Sequence, residues 1–359
     1  MRRLFRAPRG LVAVMRRAES IGLAQVLFET GSVPLVTRAL FQAEQMPSLQ
    51  AGLLAEWVRQ YGLQRARAVG VLSRESYLLF PAEAPDLPRA EWSLNMRWKI
   101  ADRIHYPPEQ AVVELFDLPG SAAQAESGKI YVAVAQESTV QEEVALFLQA
   151  GLSLLGIDIL DLSLGRLTDA LPEDGRGLGL LYWTAAGGVV SVRRNRTLYL
   201  ARGLETGRRQ IGRALADSGS PTALQGDPFV LDELAAELRR TFDFYENNFL
   251  QPPLEKLFIV PAGKEGLELP TQWAGSTGRD RWLDDGGYAW QESSTPAPAP
   301  GLWNAHLEEL LCDELSARLG LGVEPLPLRR LLRWSAEVQE ADLMGCLPAV
   351  GAALDWGAA

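Results

Sequence analysis

The sequence predicts an α/β protein of two lobes, each repeating a βββαβαβα layout, with a cleft between them. Apolar runs of strand length alternate with amphipathic helical stretches along the chain, and each half opens on closely spaced strands. At 359 residues the chain also exceeds what one domain usually holds. Helices interleaved with strands in this way cover a mixed sheet.

Leu11 to Met15 and Ile21 to Phe28 read as strands, with the polar Arg16 to Ser20 as the turn between them. Ser48 is the expected N-cap of a helix with Leu49, Leu53, Leu54, Trp57, Val58 and Tyr61 on one face. Strands follow at Ala66 to Leu72 and Tyr77 to Pro81. Ala90 to Ile104 has the spacing of an amphipathic helix, with Leu94, Trp98, Ala101 and Ile104 aligned. Pro107 and Pro108 stop it, because proline lacks the donor a helix interior needs. Ala111 to Phe116 and Lys129 to Ala135 are strands around a polar Gly/Ser loop. Ser138 and Gln141 have capping-box spacing for a helix to Ala150. Leu152 to Ile159 is strand-like, and a short helix ends before Pro172.

The second half opens with three short strands, Leu178 to Trp183, Val189 to Arg193 and Thr197 to Leu204. Thr206 to Ala216 is expected to be helical. Asp227 and Pro228 start a long helix with Leu231, Leu234, Leu238, Phe242, Tyr245 and Phe249 along one face. Gln251-Pro252-Pro253 ends it before a strand at Leu257 to Val260. Gly263 to Gly301 is rich in Gly, Pro, Ser and Asp and reads as a mobile surface insert. A helix from Trp303 to Leu319, a strand near Val323 and a terminal helix at Leu347 to Ala353 close the chain.

Composition narrows the function. Hydrophobic residues make up 47% and charged residues 22%, which excludes disorder over the whole length. With 35 basic and 45 acidic residues the net charge is −10, so no nucleic-acid partner is expected. Cys312, Cys346, His105 and His306 are too few for a disulfide framework, a four-cysteine zinc site or the usual triads. The longest uncharged apolar run, Val144 to Ile157, is too short to span a bilayer. No secretory leader is expected, because the apolar stretch after Arg9 ends at Arg16. The expected setting is therefore cytoplasmic. Arg2, Arg3, Arg6, Arg9, Arg16 and Arg17, with no acid among them, make the N-terminus basic. Such an arm is either solvated or in contact with anionic lipid headgroups.

Four stretches carry a family resemblance: Glu83 to Pro88 leading into Met96 to Ile100; Tyr106 to Val113; Thr241 to Glu246 with Gln251 to Pro253; and Cys346 to Leu354. In this order and spacing they resemble the PilM-like, actin-like proteins of type IV pilus assembly, above all the MSHA-biogenesis branch, the MshI family. The resemblance runs from about Leu11 to Leu354, with Gly263 to Gly301 poorly matched. It implies an actin-like (ribonuclease H-like) fold with an extra small subdomain in the first lobe, as in the cell-division actin homologue. Residues 1–10 would be the basic arm, 11–76 and 151–172 the first lobe, and 77–150 the inserted subdomain. Residues 173–359 would be the second lobe, carrying the insert at 263–301.

The resemblance also implies a scaffold peripheral to a bacterial inner membrane, docking the cytoplasmic tail of a PilN-like partner beside other pilus platform components. The docking groove would lie between the first lobe and its subdomain, framed by Ala66 to Pro81 and Ala90 to Tyr106. Trp92, Trp98 and Tyr106 are its expected aromatic anchors, with Trp98, on the apolar face of its helix, equally well a core residue.

Actin-like ATPases hold phosphates between two hairpin turns built on Asp-x-Gly. Glycine permits close backbone approach, and the aspartate holds magnesium or its waters. Here the first hairpin, Val14 to Ser20, presents Met15, Arg16 and Arg17, with neither Asp nor Gly where expected. The second, Leu181 to Gly188, has an uncharged residue at the aspartate position and the bulky Trp183 where Gly belongs. Ala185, Gly187 and Gly188 complete that loop, and a glycine pair equally well closes a hairpin. The adenosine turn, Val260 to Gly263, lacks a double glycine. Arg16 and Arg17 either attract an anion or are solvated turn residues. The nucleotide site is thus expected to be degenerate, with no cofactor, at most weak binding of ATP with magnesium, and no hydrolysis. The alternative is an active ATPase or small-molecule kinase of the same fold.

Other candidates carry less chemistry. Asp280, Asp284 and Asp285 read as a solvated acidic loop rather than a metal site. Asp158 and Asp161 are expected to cap the next helix, and Ser73 and Ser76 have no nearby histidine to activate them.

Overall fold

The computed structural model describes residues 10–29, 32–118, 128–184, 187–207, 210–211, 228–261 and 300–358, with side chains at all but 228, 300–307 and 358. The N-terminal arm and nearly all of the 263–301 insert lie outside these residues, as does most of the helix expected at Thr206 to Ala216.

The first sheet begins as an antiparallel meander of β1 (Leu11–Arg17), β2 (Ser20–Leu27) and β3 (Leu35–Ala43). The turn between β1 and β2 is only Ala18 and Glu19, so Arg16 and Arg17 are strand residues. Strand β3 went unread in the sequence because a register shift at Gln25/Val26 interrupts its alternation and Thr37, Arg38 and Gln42 break up its apolar run. Helix α1 (Pro47–Gln60) starts one residue before Ser48, with proline in its first turn and no side-chain cap. Its inward face carries Leu54 and Val58, while Leu49 is exposed.

Strands β4 (Arg67–Leu72) and β8 (Ser153–Ile159) then add in parallel beside β1. Near the C-terminus β14 (Arg333–Trp334) joins β3, giving the order β14-β3-β2-β1-β4-β8.

Between β4 and β8 the chain builds a separate sheet of β5 (Tyr77–Glu83), β6 (Ala111–Asp117) and β7 (Lys129–Gln136), with β7 central. Helix α2 covers Trp92–Lys99, shorter than its periodicity suggests. Met96 and Ile100 face inward, while Leu94 and Trp98, one turn apart on the opposite side, are 60% and 54% exposed. Helix α3 (Glu137–Ala150) packs on α1. The capping box does not form: α3 starts one residue before Ser138, and Gln141 Nε2 bonds the Glu137 side chain at 3.0 Å. Gly151, at φ +77°, ends the helix.

Helix α4 (Leu160–Arg166) leads into the second lobe. There β9 (Leu178–Trp183), β10 (Gly188–Arg194), β11 (Thr197–Leu204), β12 (Lys256–Ile259) and β13 (Gly322–Pro325) pair in the order β11-β10-β9-β12-β13. That order repeats β3-β2-β1-β4-β8, so the duplication is in the pairing itself. Helices α5 (Pro228–Phe249) and α6 (Pro300–Leu319) follow, α6 beginning within the segment expected to be insert. The short α7 (Leu328–Leu331) and α8 (Glu340–Gly345) precede α9 (Leu347–Ala358).

The two larger sheets are each covered on both faces. Val12, Val14, Ile21 and Leu23 meet Leu54 and Val58 of α1 and Phe147 of α3, while Leu11, Ala13 and Met15 meet Leu164 of α4 and Val350 of α9. In the second lobe Leu181 and Trp183 face α5 and α6, whereas Leu178, Leu180 and Tyr182 join the core around α4 and α9. One apolar core therefore runs through both lobes, and α4 against α9 is its axis.

These two helices touch backbone to backbone. A Cβ on Gly351 of α9 would lie 1.9 Å from the Ser163 carbonyl oxygen of α4. Gly165 likewise leaves room for the buried Arg193 guanidinium of β10, whose Nη2 bonds Asp169 at 2.9 Å and the Arg196 carbonyl at 3.1 Å. Gly351→Ala is expected to destabilise the protein by about 1–3 kcal/mol through overpacking, read as a lowered midpoint in thermal denaturation. A variant melting with the parent would refute this account of the crossing.

Candidate functional site

Among the described residues, two concavities on this frame bear on function. The first is the interlobe cleft of about 240 Å³, lined by the end of β1, by Ser73 and Arg74 after β4, and by the β9–β10 hairpin. Arg17 projects into it: Nη2 donates to the Gly345 carbonyl at 3.1 Å, and the guanidinium lies 5.9 Å from the Phe41 ring and 5.8 Å from that of Tyr182. Arg17 thus spans the lobes, and it is not a solvated turn residue. Arg16 turns the other way, pairing with Glu143 at 2.7 Å and Glu142 at 3.4 Å on α3. Burial pushes the Glu143 carboxyl up, and Arg16 opposes that shift.

The hairpin's sequence-predicted residues divide. Trp183 is core, 2% exposed, its Nε1 donating to the Thr206 carbonyl. Strand alternation sends it away from the cleft that Tyr182 lines. The Gly187 N–H donates to Thr184 Oγ1 at 3.2 Å, and a Cβ on Gly188 would come within 2.6 Å of the Tyr182 carbonyl. The glycine pair therefore closes a tight hairpin. Met15 is buried beside the cleft, and Ala185 and Gly263 lie outside the described residues.

The second concavity is a groove of about 400 Å³ between the two first-lobe sheets. Val112, Glu114 and Phe116 of β6 form one wall, Val140 and Val144 of α3 another, and Leu155, Ile157 and Asp158 of β8 a third. Among the described residues β6 ends the three-stranded sheet and β8 ends the six-stranded one, so each brings an unpaired backbone edge to the groove.

Pleating decides which side chains line it. Even-numbered β6 residues face the groove, while Ala111 and Val113 face the α2 core with Met96 and Ile100. Trp92, Trp98 and Tyr106 consequently belong to the opposite face of the small sheet and do not line the groove. Trp92 Nε1 donates to the Leu87 carbonyl at 2.8 Å, and Tyr106 packs half-buried on the α2 core. The residues that do line it escaped the sequence reading. Their one available signal is that Leu154 to Ile157 is apolar on both faces at the edge of a sheet.

Asp158 and Asp161 do not cap α4, whose N-cap is Ile159 without a side-chain bond. Asp158 Oδ1 accepts from the Ile159 N–H and Oδ2 from Ser163 Oγ, both at 2.8 Å, and burial pushes its carboxyl up to about 6. Asp161 is buried, accepts the Tyr77 hydroxyl and lies 3.9 Å from Arg74. Ser73 and Ser76 bond each other at 3.1 Å. No cluster of metal-ligating side chains occurs among the described residues, and no helix there is long and apolar enough to cross a membrane.

No family model and no curated protein matches this chain. Among solved structures it is similar to a chain of a PilM–PilN type IV pilus biogenesis complex, at 18% identity and TM-score 0.66 over 97% of both chains. The fold is the actin-like ATPase fold. Weaker likenesses include the cytoplasmic domain of EpsL, an inner-membrane component of the Vibrio cholerae type II secretion system. That match has 13% identity and TM-score 0.43 over 70% of this chain and 81% of that one. Another is a Bacteroides thetaiotaomicron protein of actin-like ATPase fold and unknown function, with 10% identity and TM-score 0.47 over 97% and 98%.

Asp158 gives a measurable signature. Its carboxyl is raised from the ordinary 3.8 to about 6 by burial, so the folded state binds its proton more tightly than the unfolded one. Its contribution to stability therefore falls as pH rises through that window. Asp158→Asn, which keeps an acceptor for the Ile159 N–H, is expected to gain Tm relative to the parent between about pH 4 and 6, then hold that gain. A difference independent of pH across the window would count against the buried carboxylate.

Proposed function

We propose that this chain is a non-enzymatic scaffold of a type IV pilus assembly machine, of the MSHA type and MshI family. In this reading it docks the cytoplasmic tail of a PilN-like inner-membrane protein in the β6–α3–β8 groove. The observation that carries the reading is the groove itself. It is an apolar slot flanked by two unpaired strand edges, in a chain whose fold follows that of a PilM–PilN chain over 97% of both lengths. An extended tail placed there adds its backbone to a sheet edge, and its alternate side chains fill the slot. The scaffold works from the cytoplasm, peripheral to a bacterial inner membrane, with the basic N-terminal arm as a further membrane contact and other platform components as neighbours.

The proposal includes a degenerate nucleotide site and no cofactor. Magnesium takes oxygen ligands, usually one or two carboxylates with phosphates and waters. Among the described cleft-lining residues Glu75 is the one carboxylate, and Arg17 and Arg74 stand beside it. Asp161, next to Arg74, already accepts the Tyr77 hydroxyl. These residues do not suit magnesium bound to phosphates.

Two measurements test this. In a titration with a PilN-like cytoplasmic tail peptide, Leu155→Asp, at a groove position 38% exposed, should weaken binding roughly thirtyfold, the scale of a lost hot-spot contact. Trp98→Ala should bind like the parent; the reverse pattern would move the docking site to α2. In calorimetry with Mg-ATP little or no heat of binding is expected, and a low-micromolar dissociation constant would favour the ATPase or kinase alternative.

A further inference from the structure

The groove carries information about the chemistry of its occupant. Among the described residues that line it, the charged ones are Glu114 on the β6 wall and Asp158 on the β8 wall; no lysine, arginine or histidine joins them. Both are carboxylates set among Val112, Phe116, Val144 and Ile157. Glu114 is exposed on the groove-facing side of β6. Asp158 is 8% exposed and accepts two protein hydrogen bonds, fewer than the roughly four a carboxylate can take.

An occupant covering this slot removes both carboxylates further from water. A wholly apolar strand would leave Glu114 desolvated without a charge partner and bury Asp158 further on its two protein hydrogen bonds and the nearby Arg166, and an acidic one would add repulsion; each costs free energy. A basic side chain turns the same burial into a charge-assisted hydrogen bond. We propose that the groove takes an extended peptide segment with apolar side chains at alternate positions and an arginine or lysine directed at Glu114 and Asp158. The inference rests on the docking reading above and deepens it: the apolar walls and open edges supply affinity, and the two carboxylates select by charge.

A displayed library of random ten-residue peptides, selected on the full chain and counter-selected on a Leu155→Ser variant, which adds no charge to the groove, tests it. Enriched peptides should alternate apolar residues and carry at least one Arg or Lys. Replacing that residue by Glu in a selected peptide should weaken binding about tenfold to a hundredfold. On a Glu114→Gln/Asp158→Asn double variant, checked for folding by its melting curve, the same replacement should have little effect while the apolar pattern persists. Groove-dependent peptides without basic enrichment, or an undiminished charge preference on the double variant, would overturn the charge inference and leave the docking reading standing. If no selected peptide depends on Leu155, both fall.

Discussion

The backbone contact between α4 and α9 is the constraint on which the remaining geometry depends. α4 continues the last strand of the first sheet, and α9 closes the chain against β1, β2 and α4. Gly351 brings the two backbones together, and the absence of a side chain at Gly165 admits Arg193 from the second lobe. A buried guanidinium is costly to desolvate unless its donors are satisfied. Asp169 and the Arg196 carbonyl answer Nη2, while Arg166 ties α4 to Asp355 of α9 at 2.7 Å. Because the apolar core is continuous through this crossing, the lobes are two halves of one packed body.

The groove inherits its position from the same crossing. Its β8 wall runs directly into α4 at Ile159, and Asp158 bonds Ser163 of α4, the residue whose carbonyl faces Gly351. The opposite wall is set by the small sheet, held to the second lobe where the Tyr131 hydroxyl donates to the Tyr199 carbonyl at 3.0 Å. On that sheet one side of each strand is filled by α2, and the other is left to the groove and the lobes. An exposed tryptophan on α2 and an open slot across the sheet are thus separate consequences of one pleat.

How far the sequence was legible follows from the range of the interactions. The duplicated layout and most strands were readable, because β1, β7 and β9 are apolar runs of the right length bounded by turn residues. The long α5 face from Leu231 to Phe249 was readable for the same local reason. Strand β3 was missed because its alternation is broken by a register shift, a property of the pair and not of the strand. Caps at Ser48 and Ser138 failed by one or two residues of helix phase. The groove between the first lobe and its small sheet was expected to be lined by Trp92, Trp98 and Tyr106, and none of them lines it. Whether Trp98 or Val112 faces it depends on which side of a sheet a helix lands, and sequence spacing carries no such information.

The cleft shows what a local motif reading leaves out. In sequence, Arg16 and Arg17 were simply residues standing where Asp and Gly belong. In the folded chain they have distinct tasks: Arg16 anchors α3 to the first sheet, and Arg17 crosses to the second lobe between Phe41 and Tyr182 while bonding Gly345. A cation placed between two aromatic rings and a carbonyl is held by attractions that require no bound ligand. On the scaffold reading this bears on the groove. The groove walls are fixed by contacts that pass through α4 and the lobe junction, and Arg17 bridges the cleft at that junction.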